Sequence, residues 1–426
     1  MYYDPPRSPL PAHGQQVRSP YGTPEQPLTP ATSSFKSPVR GMLAMLLLSS
    51  LGIGAIAILG EHLTAPDPQI TLQSGIGFAA DDEGELVLVP YERAGSGGLI
   101  ASASHDMFQV RIAAVDLATG EARWDVQLTD EIGWGAAVVA AGETYAYLAT
   151  DDGLRVLELD DGSTAAEPGA ITGLAGAAAS GAAYAFDPAL GAVVALDVNG
   201  GVHTIALDTL EAAPAGEDTA ATWSGLLAAE GNVPDIGGLT TTEALLADGE
   251  STVRVKPTAE GALGATLEVD DGDGLRDLGT RVFYGAQIVL DQTALASTTA
   301  TLEVDVEDLI EGFMEDPEAA GADLWTGLGN TAAGAASGHV LVEHQIEPNG
   351  DAYALNVISL DTGQVTASMD TATNLGRAAT SPGGYTTVIT APADDPWHSD
   401  LVVVAPDGSI DRLEFAATDF FGDPDY

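Results

Sequence analysis

The 426-residue sequence predicts an all-β protein set behind a single apolar helix. Three observations carry that prediction. Short apolar runs rich in β-branched residues recur from Ile70 onward. Asp- and Gly-containing turns separate them at intervals of 40–48 residues. Ahead of them stands one uncharged apolar stretch, Met42–Leu59.

Residues 1–40 hold prolines at Pro5, Pro6, Pro9, Pro11, Pro20, Pro24, Pro27, Pro30 and Pro38, several preceded by Ser or Thr. Proline fixes φ and removes a backbone donor, so neither helix nor sheet propagates there. A disordered cytoplasmic tail is expected, with Pro6-x-x-Pro9 and Pro24-x-x-Pro27-x-x-Pro30 as partner-binding motifs or a passive spacer.

Residues 41–60 read as a transmembrane helix. At about 1.5 Å rise per residue the uncharged run Met42–Leu59 matches the hydrocarbon thickness of a bilayer. A cleavable signal peptide is the competing reading. Its apolar core usually has about 7–15 residues and no long leader. Lys36 and Arg40 precede the span, whereas Glu61, Asp67 and an acidic chain follow it. The positive-inside rule then places the N-terminus in the cytoplasm and the rest outside the plasma membrane. Ser50-x-x-x-Gly54 is a small-residue pair of the kind that lets helices approach. Residues 61–69, with Pro66 and Pro68, form a linker.

From residue 70 the strand-length runs include Glu85–Pro90, Val110–Leu117, Thr144–Thr150, Leu154–Leu159, Ala192–Leu196, Val202–Leu207, Val282–Leu290, Val340–Glu343 and Leu401–Val404. Their composition and turn boundaries are those of β-strands. Asp116, Asp160, Asp208, Asp248 and Asp291 are 44, 48, 40 and 43 residues apart, and Asp361 and Asp407 are 46 apart. A period of about 40–50 residues with several short strands is the signature of a β-propeller. A β-propeller of about seven four-stranded blades fits residues 70–420, leaving 421–426 as the C-terminal end.

One segment is sharper. Ala114, Asp116, Thr119, Gly120 and Trp124 form the pattern A-x-D-x-x-T-G-x-x-x-W. This resembles the tryptophan-docking repeat of the PQQ-like (quinoprotein dehydrogenase-like) β-propellers. The resemblance implies that Asp and Thr-Gly shape the hairpin between a blade's outer strands and that Trp packs between blades. Gly suits a positive-φ turn position, and Trp offers a wide apolar face. Val156-x-Glu158-x-x-Asp161-Gly162 and Val357-x-Ser359-x-x-Thr362-Gly363 are degenerate copies without the Trp. Residues 303–326 interrupt the pattern with a helical insertion, capped at Asp305 and with Leu309, Ile310, Phe313 and Met314 on one face.

Chemistry is sparse. There is no cysteine, which excludes disulfides, thiolate metal sites and Cys nucleophiles. With 63 acids against 14 bases and a net charge of −49, nucleic acid is excluded as a partner. The resemblance implies PQQ and calcium in the true dehydrogenases, but no matching Glu, Asn and Asp cluster aligns here, so no cofactor is expected. Asp271, Asp273 and Asp277 are similar to a D-x-D-G-x-x-D calcium loop, with an acidic turn as the alternative. His339 and His344, with Glu343, suggest a metal site, but five residues apart on a strand the two histidines point to opposite faces. No catalytic, cofactor-binding or metal residue is assigned. The expected role is a non-catalytic scaffold or ligand-recognition module of the cell envelope. Its partners would be envelope proteins or small ligands, and the lipid bilayer through residues 41–60. The alternative is an envelope enzyme or sensor with an unrecognised site in the propeller channel.

Overall fold

The computed structural model describes residues 68–81, 83–95, 108–174, 176–232, 240–259, 263–272, 274–292, 331–372, 375–393, 395, 398–413 and 415. The tail 1–40, the apolar span 41–60, most of the linker 61–69, the insertion 303–326 and the end 421–426 lie outside them. Among the described residues no helix is long and apolar enough to cross a membrane.

The chain is a β-propeller of consecutive antiparallel meanders. The first blade holds β1 (Gln69–Leu72), β2 (Gly77–Ala80), β3 (Glu85–Ala94), β4 (Phe108–Asp116) and β5 (Ala122–Thr129). β1 and β2 lie in tandem along the same edge of β3, as two halves of one broken strand. The second blade is β6 (Ala136–Ala141), β7 (Tyr145–Thr150), β8 (Gly153–Glu158) and β9 (Thr164–Ala166). The third is β10 (Tyr184–Asp187), β11 (Ala192–Leu196), β12 (Val202–Ala206) and β13 (Ala212–Pro214). A short helix, α1 (Glu217–Trp223), follows it.

Next comes one eight-stranded sheet that reads as two blades. It contains β14 (Thr240–Thr241), β15 (Glu243–Leu245), β16 (Thr252–Pro257), β17 (Gly264–Asp270), β18 (Leu275–Val289), β19 (His339–Gln345), β20 (Tyr353–Ser359) and β21 (Val365–Thr371). The first part of β18 closes the fourth blade against β17, and its far end opens the fifth against β19. The last blade is β22 (Ala378–Thr380), β23 (Thr386–Thr390), β24 (Asp400–Val404) and β25 (Ile410–Leu413). The described residues thus form six blades. The expectation of about seven covered 70–420, part of which is not described.

The core lies between blades, and side-chain alternation builds it. Successive strand residues point to opposite faces. On β3, Leu86 and Leu88 pack with the second blade, whereas Val87 and Val89 pack with the last. On β24, Leu401 and Val403 face the first blade, while Val402 and Val404 face the fifth. On β19, Val340 and Val342 face the fourth blade and Leu341 the last. Because both faces are covered, these strands are continuous apolar runs rather than alternating ones.

Five apolar seams follow, joining blades one to two, two to three, four to five, five to six, and six to one. The last closes the ring. There the Glu85 carboxylate accepts from Ser381 Oγ and from the Gly383 amide, both at 2.7 Å. The Ser399 amide also donates to the Ile70 carbonyl at 2.8 Å.

Between the third and fourth blades no such cluster exists among the described residues. The third blade is finished by α1 instead. Trp223 is buried with Val193–Leu196, and its indole donates to Asp187 Oδ2 at 3.0 Å. The fourth blade is finished by charge on the face turned away from the fifth. Arg254 and Lys256 on β16 pair there with Asp270 and Glu268 on β17, each at 2.9 Å.

The hairpins between third and fourth strands repeat. Thr119-Gly120, Asp161-Gly162, Asp271-Gly272, Thr362-Gly363 and Asp407-Gly408 occupy them, and all five glycines have positive φ, between +68° and +82°. In the third blade Asp208 itself takes φ +62°. Of the evenly spaced aspartates in the sequence, Asp248 and Asp291 lie elsewhere, at the β15–β16 turn and after β18. The sequence period therefore mixed two kinds of turn.

Candidate ligand-binding channel

The innermost strands are built from small residues, and this lets them crowd together. Gly75, between β1 and β2, bridges in parallel to Ala137 of β6. A Cβ at Gly75 would run into the Ala137 main chain. The Val138 amide donates to the Gly75 carbonyl at 2.8 Å, locking the first blade to the second at their inner edges.

These inner edges bound a cavity of about 420 Å³ drawn from four blades. Its wall includes Ile76 and Phe78 by the first blade, Val138 of the second, Phe186 of the third and Ala379 of the last. The polar groups at the wall are Arg377, Thr380 and Ser381.

Arg377 is the unusual member. It is only 6 % exposed, and its Nη1 donates to the Ser74 carbonyl at 3.0 Å. Its Nε has no hydrogen-bond partner among the described residues. Burial pulls the guanidinium down to about 10, partly opposed by the charge of Asp291. The side chain therefore stays cationic at neutral pH. Ser381 is engaged: it donates to Glu85 and accepts from the Tyr385 amide at 3.1 Å. Arg377 carried no signal in motif terms. The one cue was an arginine set among Gly376, Ala378 and Ala379 in a chain with few bases.

The motif residues lie at the first blade's outer hairpin. Asp116 Oδ1 accepts from the amides of Ala118 and Thr119, at 2.9 and 2.8 Å, and from Thr119 Oγ1 at 3.1 Å. The Gly120 amide returns to the Asp116 carbonyl at 2.8 Å. Ala114 is buried on β4 opposite Trp124. Trp124 is buried in the seam with the second blade, donating to the Leu159 carbonyl at 2.7 Å. Its ring lies on Gly162, where an added Cβ would meet Cε3 at 2.7 Å. The degenerate copies share the backbone without the side chains. Gly162 and Gly363 donate to the carbonyls of Glu158 and Ser359, at 3.0 and 2.8 Å. All three hairpins carry a register shift at the equivalent place.

The other candidates stay apart. Asp271 sits in the β17–β18 turn and Asp277 on β18, where it accepts from Lys256 Nζ at 3.1 Å, while Asp273 is outside the described residues. His344 packs edge-on against Phe283 at 5.1 Å, on the side of the fourth blade. His339 lies beside Gly408 of the last blade. Burial pushes the His344 imidazole below its usual range and the neighbouring Glu343 carboxyl above its own. A buried network that the sequence did not announce spans β3, β4 and β5. Tyr91 donates to Asp125, which also accepts from Arg111 Nε at 2.9 Å. Burial raises the carboxyl of Asp125, with Arg111 opposing it.

No family model and no curated protein matches the chain. Solved structures that resemble it are distant. The unliganded AtxE2 isopeptidase is 9% identical, with 85% of this chain and 54% of that chain covered and a TM-score of 0.40. A puromycin-hydrolyzing peptidase of Mycobacterium tuberculosis is 15% identical, covering 80% and 53%, with a TM-score of 0.27. The β-propeller domain of the Trilobed protease from Pyrococcus furiosus is 9% identical, covering 80% and 98%, with a TM-score of 0.27. The chain spans about half the length of the first two. The propeller assignment rests on the sheets and their seams rather than on these likenesses.

Proposed function

We propose that this chain is a membrane-anchored, extracytoplasmic propeller of the PQQ-like type. In this reading it serves the cell envelope as a non-catalytic scaffold or ligand-recognition module. The observation that carries the reading is the channel cavity itself. Its wall is apolar, its serine is held by Glu85 and Tyr385, and its one charged group is a guanidinium. Apolar walls with a few placed polar groups are the make-up of recognition sites. Arginine offers directed hydrogen bonds and no proton to exchange near neutral pH. The Asp116 hairpin and docked Trp124 support the PQQ-like type, and the uncharged run Met42–Leu59 with its flanking charges supports the anchor.

The test is co-purification from native membranes in mild detergent through a C-terminal tag, read by mass spectrometry. Stoichiometric envelope proteins, lost when residues 70–420 are deleted, are expected for the scaffold form. A solitary protein that also carries no bound small molecule contradicts both forms.

A further inference from the structure

The described part of the chain buries very few cations, and two stand in contrast. Arg111, inside the first blade, is neutralised directly by Asp125 and bonded to Gln109 Oε1 at 3.0 Å. Arg377 is buried to the same degree. Its hydrogen bond goes to a neutral carbonyl, its Nε is unmatched, and it borders an open cavity. Asp291 offsets only part of the cost of burying this charge, and an inert channel has no need of it. Apart from the hydroxyls of Thr380 and Ser381, the side chains facing the cavity are apolar, among them Ile76, Phe78, Val138, Phe186 and Ala379. One fixed positive group on the wall of a largely apolar cavity is complementary to a molecule with one negative group and an apolar body.

We propose that the channel binds a small amphiphilic carboxylate, its carboxylate on the Arg377 guanidinium and its apolar part against the inner strands of the first, second, third and last blades. This rests on the recognition reading above and names its ligand class. A carboxylate suits the guanidinium because a hydrogen bond between two charged groups is shorter and stronger than one to a neutral acceptor. The cavity volume falls within the ordinary range of small-ligand pockets. Neutral ligands of the same shape leave the guanidinium unpaired and lose the charged hydrogen bonds.

The experiment titrates the full chain in lipid nanodiscs, with empty discs subtracted, against 4-isopropylbenzoate and its neutral isostere 4-isopropylbenzamide. Calorimetric heat is the readout, and melting temperature is recorded alongside. The acid is expected to bind at least about tenfold more tightly than the amide, the value of hydrogen bonds to a charged group. In Arg377→Met that preference collapses to about one. The unliganded melting temperature of this variant is equal to or above that of the parent, because a desolvated charge has been removed. Arg377→Lys keeps the charge without the fork and is expected to retain only part of the preference. Equal binding of acid and amide overturns the anion selection while leaving the cavity as a recognition site. Binding of neither probe overturns the inference altogether and leaves the recognition reading to the co-purification result. A lowered melting temperature in Arg377→Met, with acid preference unchanged, also overturns it and makes Arg377 a structural group for Ser74.

Discussion

The seam between the last and first blades and the region between the third and fourth solve the same problem in opposite ways. A blade has two faces, and each must be covered. At the closing seam, Val87, Val89 and Val115 meet Leu401, Val403 and Leu413, and Gly120 of the first blade sits against Leu413. Around the ring the same arrangement recurs: Gly162 rests on Trp124, Gly363 on the Gly279 main chain, and Gly408 beside Thr366. Each turn glycine lies on the fourth strand of the blade before it. At the fourth blade the pattern stops. Gly272 has positive φ like the others, yet no described residue lies within 4 Å of the Cβ position. The face beside it carries Arg254, Lys256, Glu268 and Asp270 rather than valine and leucine. The difference teaches that ring closure rests on the apolar seam between the first and last blades, while among the described residues the third and fourth blades are finished by α1 and a charge ladder.

Truncating the closing seam is the most severe way to break that comparison. Leu401→Ala is expected to destabilise by about 2–5 kcal/mol, the range for a buried leucine. Arg254→Ala, on the charged face, is expected to cost no more than about 1 kcal/mol, since the pair is partly exposed. Urea unfolding of the full chain checks both, and equal losses would erase the distinction.

The turn glycines sharpen it. Gly162→Ala forces a methyl into Trp124 in a left-handed conformation, so a loss of roughly 2–3 kcal/mol is expected from overpacking plus strain. Gly272→Ala carries the strain alone, roughly 1–2 kcal/mol.

The smallest effect is in pH. The His344 imidazole titrates below its ordinary 6.5 in the folded protein because it is buried. The unfolded chain therefore binds more protons over that window. The stability held at neutral pH is lost as pH falls through about 6.5 toward the folded value. Replacing it, in His344→Leu, flattens that slope in urea titrations at pH 7.5, 6.5 and 5.5. Glu343, on the opposite face of β19, has the reverse sign. Its folded carboxyl titrates above the ordinary 4.5, so it subtracts stability as pH rises past that value.

Much of this fold was legible in the sequence. Ala192–Leu196 is a strand with the bounds read from its apolar run, and the runs at 85–90, 110–117, 340–343 and 401–404 lie within β3, β4, β19 and β24 or reach one residue past them. Those strands are covered on both faces and therefore uninterrupted. The alternation Thr252-Val253-Arg254-Val255-Lys256 matches the two faces of β16, with Val253 and Val255 in the apolar seam and Arg254 and Lys256 in ion pairs. The inner strands were hard to see. Ala378-Ala379-Thr380 and Ala136–Ala141 have the low β-propensity of alanine, and they form because they crowd at the ring axis. The helix α1 was missed because its seven residues are too short for helical periodicity. The docking motif could be read residue by residue. The cavity could not, since it draws on residues 76, 138, 186 and 377, which only ring closure brings together.

Closure of the first blade on the last is thus the claim on which the channel depends. The absence of cysteine gives a clean background for testing it. Glu85→Cys combined with Ser381→Cys places two thiols where a carboxylate now meets a hydroxyl. Treatment of the full chain with a short bis-methanethiosulfonate linker, read by intact mass and gel mobility, measures their proximity. The account predicts rapid, quantitative linking within single chains that is abolished by urea. Linking only between chains, or none above the single-cysteine controls, would contradict it.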